Sequence, residues 1–408
     1  MPRWLALFAL TLLAAPSPAA EPFFFQPKDR VVFLGDSITE QYQYSTDIEL
    51  YLTTRFPHDD MLFLNAGIGG DTANGGAGRF QDHVLSDKPT KVTINFGMND
   101  AGYGDFNPAT NKVFVEKTDA MLAAAKKAGV KVALVSPNAV DRRVNPGFKK
   151  YVETQQRFYA PLAESAKKAG FPYADQYAVT RAAVEAMEKD DPTAAKAKPY
   201  YDGFHTAAPG GLLMAHAILT QLHAPADVSN VKIGVKTGEA KGINAKLSDV
   251  AVTAGGVTFT RLDDALPLPL QKDWLPMLPY TNNLDDLNRY LLTVTDLAEG
   301  EYSVRIDGTE VTTTTAAALV KGVNLGNLTT GPIYEQSNKV LRAINAKNNL
   351  VRDRFGVTRT AIPDWLKDIG EPRRQEERAK RMPAIEAAQT DVYKLAQPVA
   401  HKFEVVKK

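Results

Sequence analysis

The chain has 408 residues, which is long enough for two or three domains. Its residues are 44% apolar and 23% charged, a composition typical of soluble globular proteins. Its 48 basic residues nearly balance its 47 acidic ones, so the net charge of +1 provides no bulk attraction for a nucleic acid or an acidic membrane. The chain has no cysteine, which excludes disulfide bonds, thiolate metal sites and a cysteine nucleophile.

The first residues, MPRWLALFALTLLAAPSPAA (1–20), have the order of a secretory signal peptide. Arg3 precedes an apolar run from Trp4 to Ala15, and small residues follow the run. The run is shorter than the roughly 20 apolar residues of a membrane span, although an uncleaved N-terminal anchor stays an alternative. We therefore expect an exported protein, periplasmic or extracellular, without integral membrane association.

Short apolar runs alternate with helical segments from residue 29 to about 224. The runs RVVFLG, MLFLNAG, KVTINFG, KVALVSP and PYADQY lack polar alternation, which is typical of strands buried on both faces. We therefore predict a mostly parallel sheet built from βαβ units, whose ligands bind beyond the carboxyl ends of the strands. The first three runs end in GDS, NAGIGGDT and GMND.

The pattern changes in the second half of the chain. NVKIGVKT, GVTFTRLDD, YLLTVTDL and EYSVRIDGTEV alternate with period two and predict an antiparallel β-rich accessory module over 227–312, interrupted by a proline-rich segment at 266–280. Residues 313–408 are predicted to be helical, and these helices either mediate oligomerisation or brace the fold, so the oligomeric state stays open. Trp274 and Trp365 are candidates for sugar stacking, although core packing is favoured for both.

Ser37, just after the first apolar run, is either an ordinary helix-capping residue or a nucleophile. A serine nucleophile needs a base, a group that orients the base, and donors for the oxyanion. In YDGFH, Asp202 stands three residues before His205, a spacing at which the carboxylate can accept from the imidazole Nδ1–H. The glycines of 65–71 and the amide of Asn99 follow two other strands and can supply the donors.

Four sequence blocks together resemble those of the SGNH hydrolases, also called the GDSL esterases and lipases, and they occur in that family's order. They are Gly-Asp-Ser at 35–37, the glycine block at 65–71, Gly-x-Asn-Asp at 97–100 and Asp-x-x-His at 202–205. The resemblance covers about half of the chain, roughly residues 29–224. It implies a flavodoxin-like three-layer α/β/α hydrolase domain over 21–226 that uses neither a metal nor a cofactor.

The resemblance also implies a role for each site residue. Ser37 would be the nucleophile, His205 the general base and later acid, and Asp202 the residue that orients His205. The oxyanion donors would be the backbone N–H of Ser37, the N–H of Gly70 and the side chain of Asn99; Gly70 is favoured over Gly67. The acidic residues beside these positions are expected to fix turns; they are Asp36, Asp71 and Asp100.

Other kinds of site are not favoured. GIGGDTANGGAG has Thr72 where a dinucleotide-binding loop needs its third glycine, and the sequence has no phosphate-loop motif. The G-x-S-x-G nucleophile motif of the α/β-hydrolases also fails, because Thr39 stands in place of its last glycine. No zinc pattern connects the remaining histidines, which are His58, His83, His216, His223 and His401. Arg79 is either structural, which is favoured, or substrate-binding. Four aromatic residues line either a sugar or acyl pocket or the core: Tyr42, Tyr103, Tyr201 and Phe204.

The resemblance and the leader together predict a secreted serine esterase that works through an acyl-enzyme. A short acyl group is favoured, most simply O-acetyl on a polysaccharide or oligosaccharide, because the sequence has no long apolar lid segment. The alternatives are a lipase-like or thioesterase-like hydrolase, an O-acyltransferase, and a non-catalytic carbohydrate-binding protein.

Overall fold

The first part of the chain forms a five-stranded parallel sheet in the order β2-β1-β3-β4-β5. Our computed structural model describes residues 22–253 and 255–408, so the predicted signal peptide at 1–20 lies outside the described residues. The strands are β1 (Arg30–Gly35), β2 (Leu62–Gly67), β3 (Lys91–Asn95), β4 (Lys131–Val135) and β5 (Tyr173–Ala174). Each lies within one of the five predicted apolar runs, and the order is that of flavodoxin-like folds.

Eight helices accompany this sheet: α1 (Ser37–Glu40), α2 (Gln43–Arg55), α3 (Ala73–His83), α4 (Pro108–Lys127), α5 (Lys149–Tyr159), α6 (Pro161–Ala169), α7 (Gln176–Asp190) and α8 (Ala208–Gln221). Helices α2, α7 and α8 pack together as one group, and α3, α4 and α6 pack as another. The sheet strands are buried almost throughout. The predicted three-layer α/β/α domain is thereby confirmed.

Two further sheets follow and share one apolar core. One has the order β13-β10-β6-β7 and the other the order β12-β11-β14-β9-β8. Their strands are β6 (Asp227–Gly234), β7 (Ala240–Ile243), β8 (Ala245–Thr253), β9 (Gly256–Asp263), β10 (Arg289–Thr295), β11 (Glu301–Ile306), β12 (Thr309–Thr315), β13 (Val323–Asn324) and β14 (His401–Lys407). The predicted β-rich region is therefore present. Within it β6 and β10 run parallel, whereas the period-two pattern was interpreted as antiparallel throughout.

The two long C-terminal helices pack mainly on the domain of the first sheet, although Ile333 at the start of the first of them joins the core of the β-rich sheets. They are α11 (Pro332–Arg359) and α12 (Lys367–Ala396), and the short helices α9 (Asn283–Leu287) and α10 (Ala316–Lys321) precede them. Val340, Ile344 and Val392 belong to the same apolar core as the parallel sheet, and Trp274 of the proline-rich segment joins them. Helix α11 contacts α2 and the edge strand β2, so the helix pair braces the domain of the parallel sheet.

The helix pair is joined at each end to the β-rich region. After α12 the chain returns as β14, which lies between β9 and β11 in the middle of the five-stranded antiparallel sheet. This strand was not predicted, because residues 313–408 were expected to be helical. Among residues 22–253 and 255–408, no helix has the length and apolar character needed to cross a membrane.

Candidate active site

Ser37, His205 and Asp202 form a continuous hydrogen-bonded chain beyond the carboxyl edge of the parallel sheet. Ser37 Oγ lies 2.8 Å from His205 Nε2, and His205 Nδ1 lies 2.6 Å from Asp202 Oδ2. Ser37 comes from the turn after β1, whereas the other two residues come from the loop before α8. The arrangement matches the geometry that a serine nucleophile, its base and the orienting carboxylate require.

The loop that carries Asp202 and His205 is held by its own backbone. Asp202 Oδ1 accepts hydrogen bonds from the N–H groups of Phe204, at 3.2 Å, and His205, at 2.9 Å. Partial burial acts to raise the pKa of Asp202, but the hydrogen bonds from the His205 ring and from the two backbone N–H groups outweigh it and lower this pKa below its ordinary value. Asp202 is therefore kept ionised and aimed at the imidazole.

Ser37 is oriented by the start of α1. Asp36 is the N-cap of this helix, and its side chain accepts from the Ile38 N–H at 2.9 Å, which confirms the turn-fixing role predicted for it. Burial raises the pKa of Asp36 to about 7, against the lowering effect of that hydrogen bond, and the nearby carboxylates of Asp100 and Asp71 add to the rise. The buried carboxyl therefore fixes the turn that presents Ser37.

The glycine block distinguishes Gly70 from Gly67. The Gly67 N–H donates to Asn65 Oδ1 at 2.8 Å, and a Cβ at Gly67 would lie 2.2 Å from Glu40 N, so this glycine serves the close packing of α1. Gly70 has φ +73°, and a Cβ there would meet nothing within 4 Å. A glycine is favoured at position 70 because the backbone there is left-handed, and the position is open. The backbone N–H of Gly70, rather than that of Gly67, is therefore the candidate oxyanion donor.

Arg79 joins the carboxyl ends of the first two strands. Its guanidinium donates to the carbonyl oxygens of Ala66, at 2.7 Å, and Gly35, at 3.1 Å, and to Asp71 Oδ2 at 2.8 Å. These three hydrogen bonds hold two strand ends and a turn together, which agrees with the structural role favoured for Arg79. Asp71 thus contributes to the turn through Arg79, as predicted.

Asn99 is held at both ends of its side-chain amide. Its Nδ2 donates to the Asp71 carbonyl at 2.9 Å, and its Oδ1 accepts from the Tyr103 hydroxyl at 2.7 Å. Because a primary amide has two N–H groups, one remains for a substrate oxygen. The neighbouring Asp100 accepts from the Ala73 N–H at 3.0 Å, which confirms its predicted turn role.

The aromatic candidates divide into two groups. The rings of Phe204 and Tyr201 lie 4.0 Å and 5.7 Å from the His205 ring, so both border the base. The Tyr103 ring lies 5.1 Å from that of Phe204. Tyr42 is buried, and its ring packs under the Arg352 guanidinium of α11 at 4.6 Å.

Two contacts at the site were not predicted from the sequence. Gln41 bridges α1 and the loop of His205, because its Oε1 accepts from the Thr206 backbone N–H and hydroxyl and its Nε2 donates to the Tyr201 hydroxyl. Tyr103 was named only as a pocket aromatic, and its bond to Asn99 has no sequence signal beyond the four-residue spacing. Across the described residues, no cluster of three or more histidine, aspartate or glutamate side chains could hold a metal ion.

Comparison with known proteins agrees with this fold. Residues 33–210 match the model of the GDSL-like lipase/acylhydrolase family. An arylesterase of Vibrio mimicus is 28% identical over 188 residues, which are 44% of this chain and 84% of that protein. The structure of a gut microbial diltiazem-metabolizing enzyme is 26% identical and superposes with a TM-score of 0.81 over 95% of this chain and 99% of its own.

The parallel sheet, the site at its carboxyl edge and these similarities define an ester-hydrolysing enzyme. Residues 33–210 are therefore similar to the GDSL-like lipases and acylhydrolases, the SGNH hydrolases that the four sequence blocks resemble. This similarity favours an enzyme over the non-catalytic carbohydrate-binding alternative. The similarity to the diltiazem-metabolizing enzyme extends over the β-rich sheets and the C-terminal helices as well.

Proposed function

We propose that this enzyme is an exported serine esterase that removes short acyl groups, above all acetyl, from carbohydrate esters. The observation that carries the serine mechanism is the unbroken chain from Ser37 Oγ through His205 to Asp202, with heavy-atom distances of 2.8 and 2.6 Å. In this mechanism Ser37 Oγ attacks the ester carbonyl while His205 Nε2 takes its proton.

The remaining steps use the same residues. The negative charge on the carbonyl oxygen is stabilised by the N–H groups of Ser37 and Gly70 and by the free N–H of the Asn99 amide. The tetrahedral intermediate expels the alcohol, which takes the proton from His205, and leaves an acyl ester on Ser37. A water molecule then gives its proton to His205 and attacks the acyl carbonyl, and Ser37 regains a proton as the carboxylic acid leaves.

The polar rim of the site supports a carbohydrate as the alcohol portion. Glu40, Gln41 and the Tyr201 hydroxyl stand around the pair of Ser37 and His205, and Tyr201 is half exposed. Such groups exchange hydrogen bonds with sugar hydroxyls as they do with water. The export part of the proposal rests on the residue pattern of 1–20.

The test is Ser37→Ala, assayed on p-nitrophenyl acetate, p-nitrophenyl palmitate and a partially O-acetylated xylo-oligosaccharide mixture. The variant should lose about 10⁴-fold or more in kcat with an unchanged melting temperature, whereas the exposed control Ser248→Ala should keep full activity. An active Ser37→Ala enzyme would refute the serine mechanism. Faster turnover of the palmitate than of the acetate would refute the short-acyl proposal, and acetate transferred to an added sugar rather than released would identify an acyltransferase.

A further inference from the structure

Helix α11 runs beside β2 in the same direction as the strand and extends past its carboxyl end. Lys347 Nζ donates to the Phe63 carbonyl at 3.2 Å, which places this part of α11 beside the early part of β2. From Lys347 to Arg359 the helix rises about 18 Å, whereas β2 from Phe63 to Gly67 advances about 13 Å. The end of α11 therefore stands at the level of the loops that carry the site.

A contact between Arg359 and Glu40 places that helix end beside the nucleophile. Arg359 donates to Glu40 Oε1, and Glu40 is the last residue of the one-turn helix that Ser37 begins. A Cβ built on Gly69 would lie 2.9 Å from Glu40 Oε2 and 4.0 Å from Ser37 Cβ. Only the Glu40 side chain thus lies between the end of α11 and the Gly69 loop, which borders Ser37 on the β2 side of the cleft.

The turn after α11 carries an unusually exposed tryptophan. We call residues 360–370 the hairpin tip; they comprise the segment that joins α11 to α12 and the first turn of α12. Trp365 is 83% exposed and Ile369 is 66% exposed, so the core packing favoured for Trp365 from the sequence is wrong, whereas Trp274 is buried as favoured. A single exposed apolar residue is ordinary, but two on one tip beside a catalytic cleft form a small apolar surface in a polar rim.

The hairpin tip is braced rather than loose. Arg374 of α12 donates to the carbonyl oxygens of Thr358 and Thr360, each at 3.2 Å, and pairs with Glu371. Ile362 packs closely on Gly370, where a Cβ would lie 2.7 Å from Ile362 Cγ2. A planar side chain on a braced turn contacts a ligand at a low cost in conformational entropy.

We propose that the hairpin tip is an outer substrate subsite, in which the Trp365 indole stacks on a sugar ring of the carbohydrate portion of the ester. The scissile acetyl group occupies the Ser37 site, while a ring further along the same oligosaccharide reaches past Glu40 to the tip. The flat C–H face of a sugar suits an exposed indole, and the charges of Glu40 and Arg359 between the two positions suit its hydroxyls. This inference rests on the proposed function.

The test compares a small and a large substrate. Trp365→Ala should raise KM for the partially O-acetylated xylo-oligosaccharide mixture by about tenfold, with kcat, the melting temperature and all parameters for p-nitrophenyl acetate unchanged. Trp365→Phe should recover part of the affinity because it keeps an aromatic face. The matched control is Val252→Ala, a half-exposed apolar residue of β8, which should change neither substrate.

Two outcomes overturn the subsite. If Trp365→Ala leaves the KM for the oligosaccharide unchanged, the exposed indole does not contact the substrate and the proposal is wrong; binding of a partner protein would then be the role to test. If the substitution lowers kcat equally for both substrates, Trp365 acts through the fold and is not a subsite residue. Inactivity of the wild-type enzyme on p-nitrophenyl acetate is a different failure, because it would refute the proposed function itself.

Discussion

Removing the Tyr103 hydroxyl tests whether the orientation of Asn99 matters for catalysis. In Tyr103→Phe the aromatic contacts with Phe204 and Phe148 are kept, and the hydrogen bond of 2.7 Å to Asn99 Oδ1 is lost. The amide keeps its bond to the Asp71 carbonyl but loses the partner that fixes its other end. We expect the donor for the oxyanion to spend part of its time away from the productive orientation.

The loss of kcat expected for Tyr103→Phe can be estimated from two known effects. Deleting an oxyanion donor outright costs about 10²- to 10³-fold in kcat, which is the expected loss for Asn99→Ala. One neutral hydrogen bond is worth about 1 kcal/mol, so Tyr103→Phe should lower kcat by about five- to tenfold. KM should stay constant, because the donor acts on the charge that develops in the transition state.

The assay is steady-state hydrolysis of p-nitrophenyl acetate by the wild type, both single variants and the double variant. In the Asn99→Ala background, Tyr103→Phe should cause no further loss, since its only catalytic effect acts through the missing amide. Multiplicative losses in the double variant, or full activity in Tyr103→Phe, would refute the reasoning. Tyr201→Phe, which keeps its ring near His205 and has no contact with Asn99, is the control for the loss of an aromatic hydroxyl.

Three other substitutions test the supports of the site. Asp36→Asn keeps a capping oxygen and removes a carboxyl whose pKa is about 7 in the folded protein and 3.8 in the unfolded chain, so the wild type loses stability as pH rises from about 4 to 7. The variant should therefore melt at a higher temperature than the wild type at pH 8 but not at pH 3. The opposite pH dependence would contradict burial of the carboxyl as the cause. Lys347→Met leaves the buried carboxylate of Glu49 unpaired and should lower the free energy of unfolding, measured in urea, by about 3–5 kcal/mol. The double variant Lys347→Met/Glu49→Leu should recover most of this loss. An unchanged stability of the single variant would show that the ion pair is unimportant. Arg79→Lys cannot reach both strand carbonyls and should lose about 2–4 kcal/mol of stability, whereas a loss of substrate affinity alone would indicate a binding role.

The parallel sheet and the chain of Ser37, His205 and Asp202 could be predicted because each depends on a local signal. Strands buried on both faces need uninterrupted apolar runs, and three of the four site blocks stand directly after such runs. The Asp-x-x-His block at 202–205 follows no strand and was assigned because the four blocks occur in the order of the family that they resemble. The pairing of β6 with β10 could not be predicted in its direction, since alternation reports which face is buried and not which way the neighbouring strand runs.

The contacts of the C-terminal helices were beyond sequence reasoning for a different reason. Arg359 meets Glu40 across 319 positions, and Lys347 meets Glu49 across 298, so no spacing links the partners. Trp365 was favoured for the core because residue type is the only guide to burial in a single sequence, and here the residue lies at the tip of a helix pair. The strand β14 was missed because it follows a 30-residue helix and pairs with strands far earlier in the chain.

The position of β14 has a consequence for biosynthesis. Since β14 is an inner strand between β9 and β11, that sheet stays split into two parts until residues 401–407 have left the ribosome. The parallel sheet, in contrast, has all its strands by residue 174. During translation the nascent chain therefore exposes unpaired edges of β9 and β11 while α11 and α12 are being made. A chain cut before residue 401 would keep every strand of the parallel sheet but would have an open, aggregation-prone second sheet.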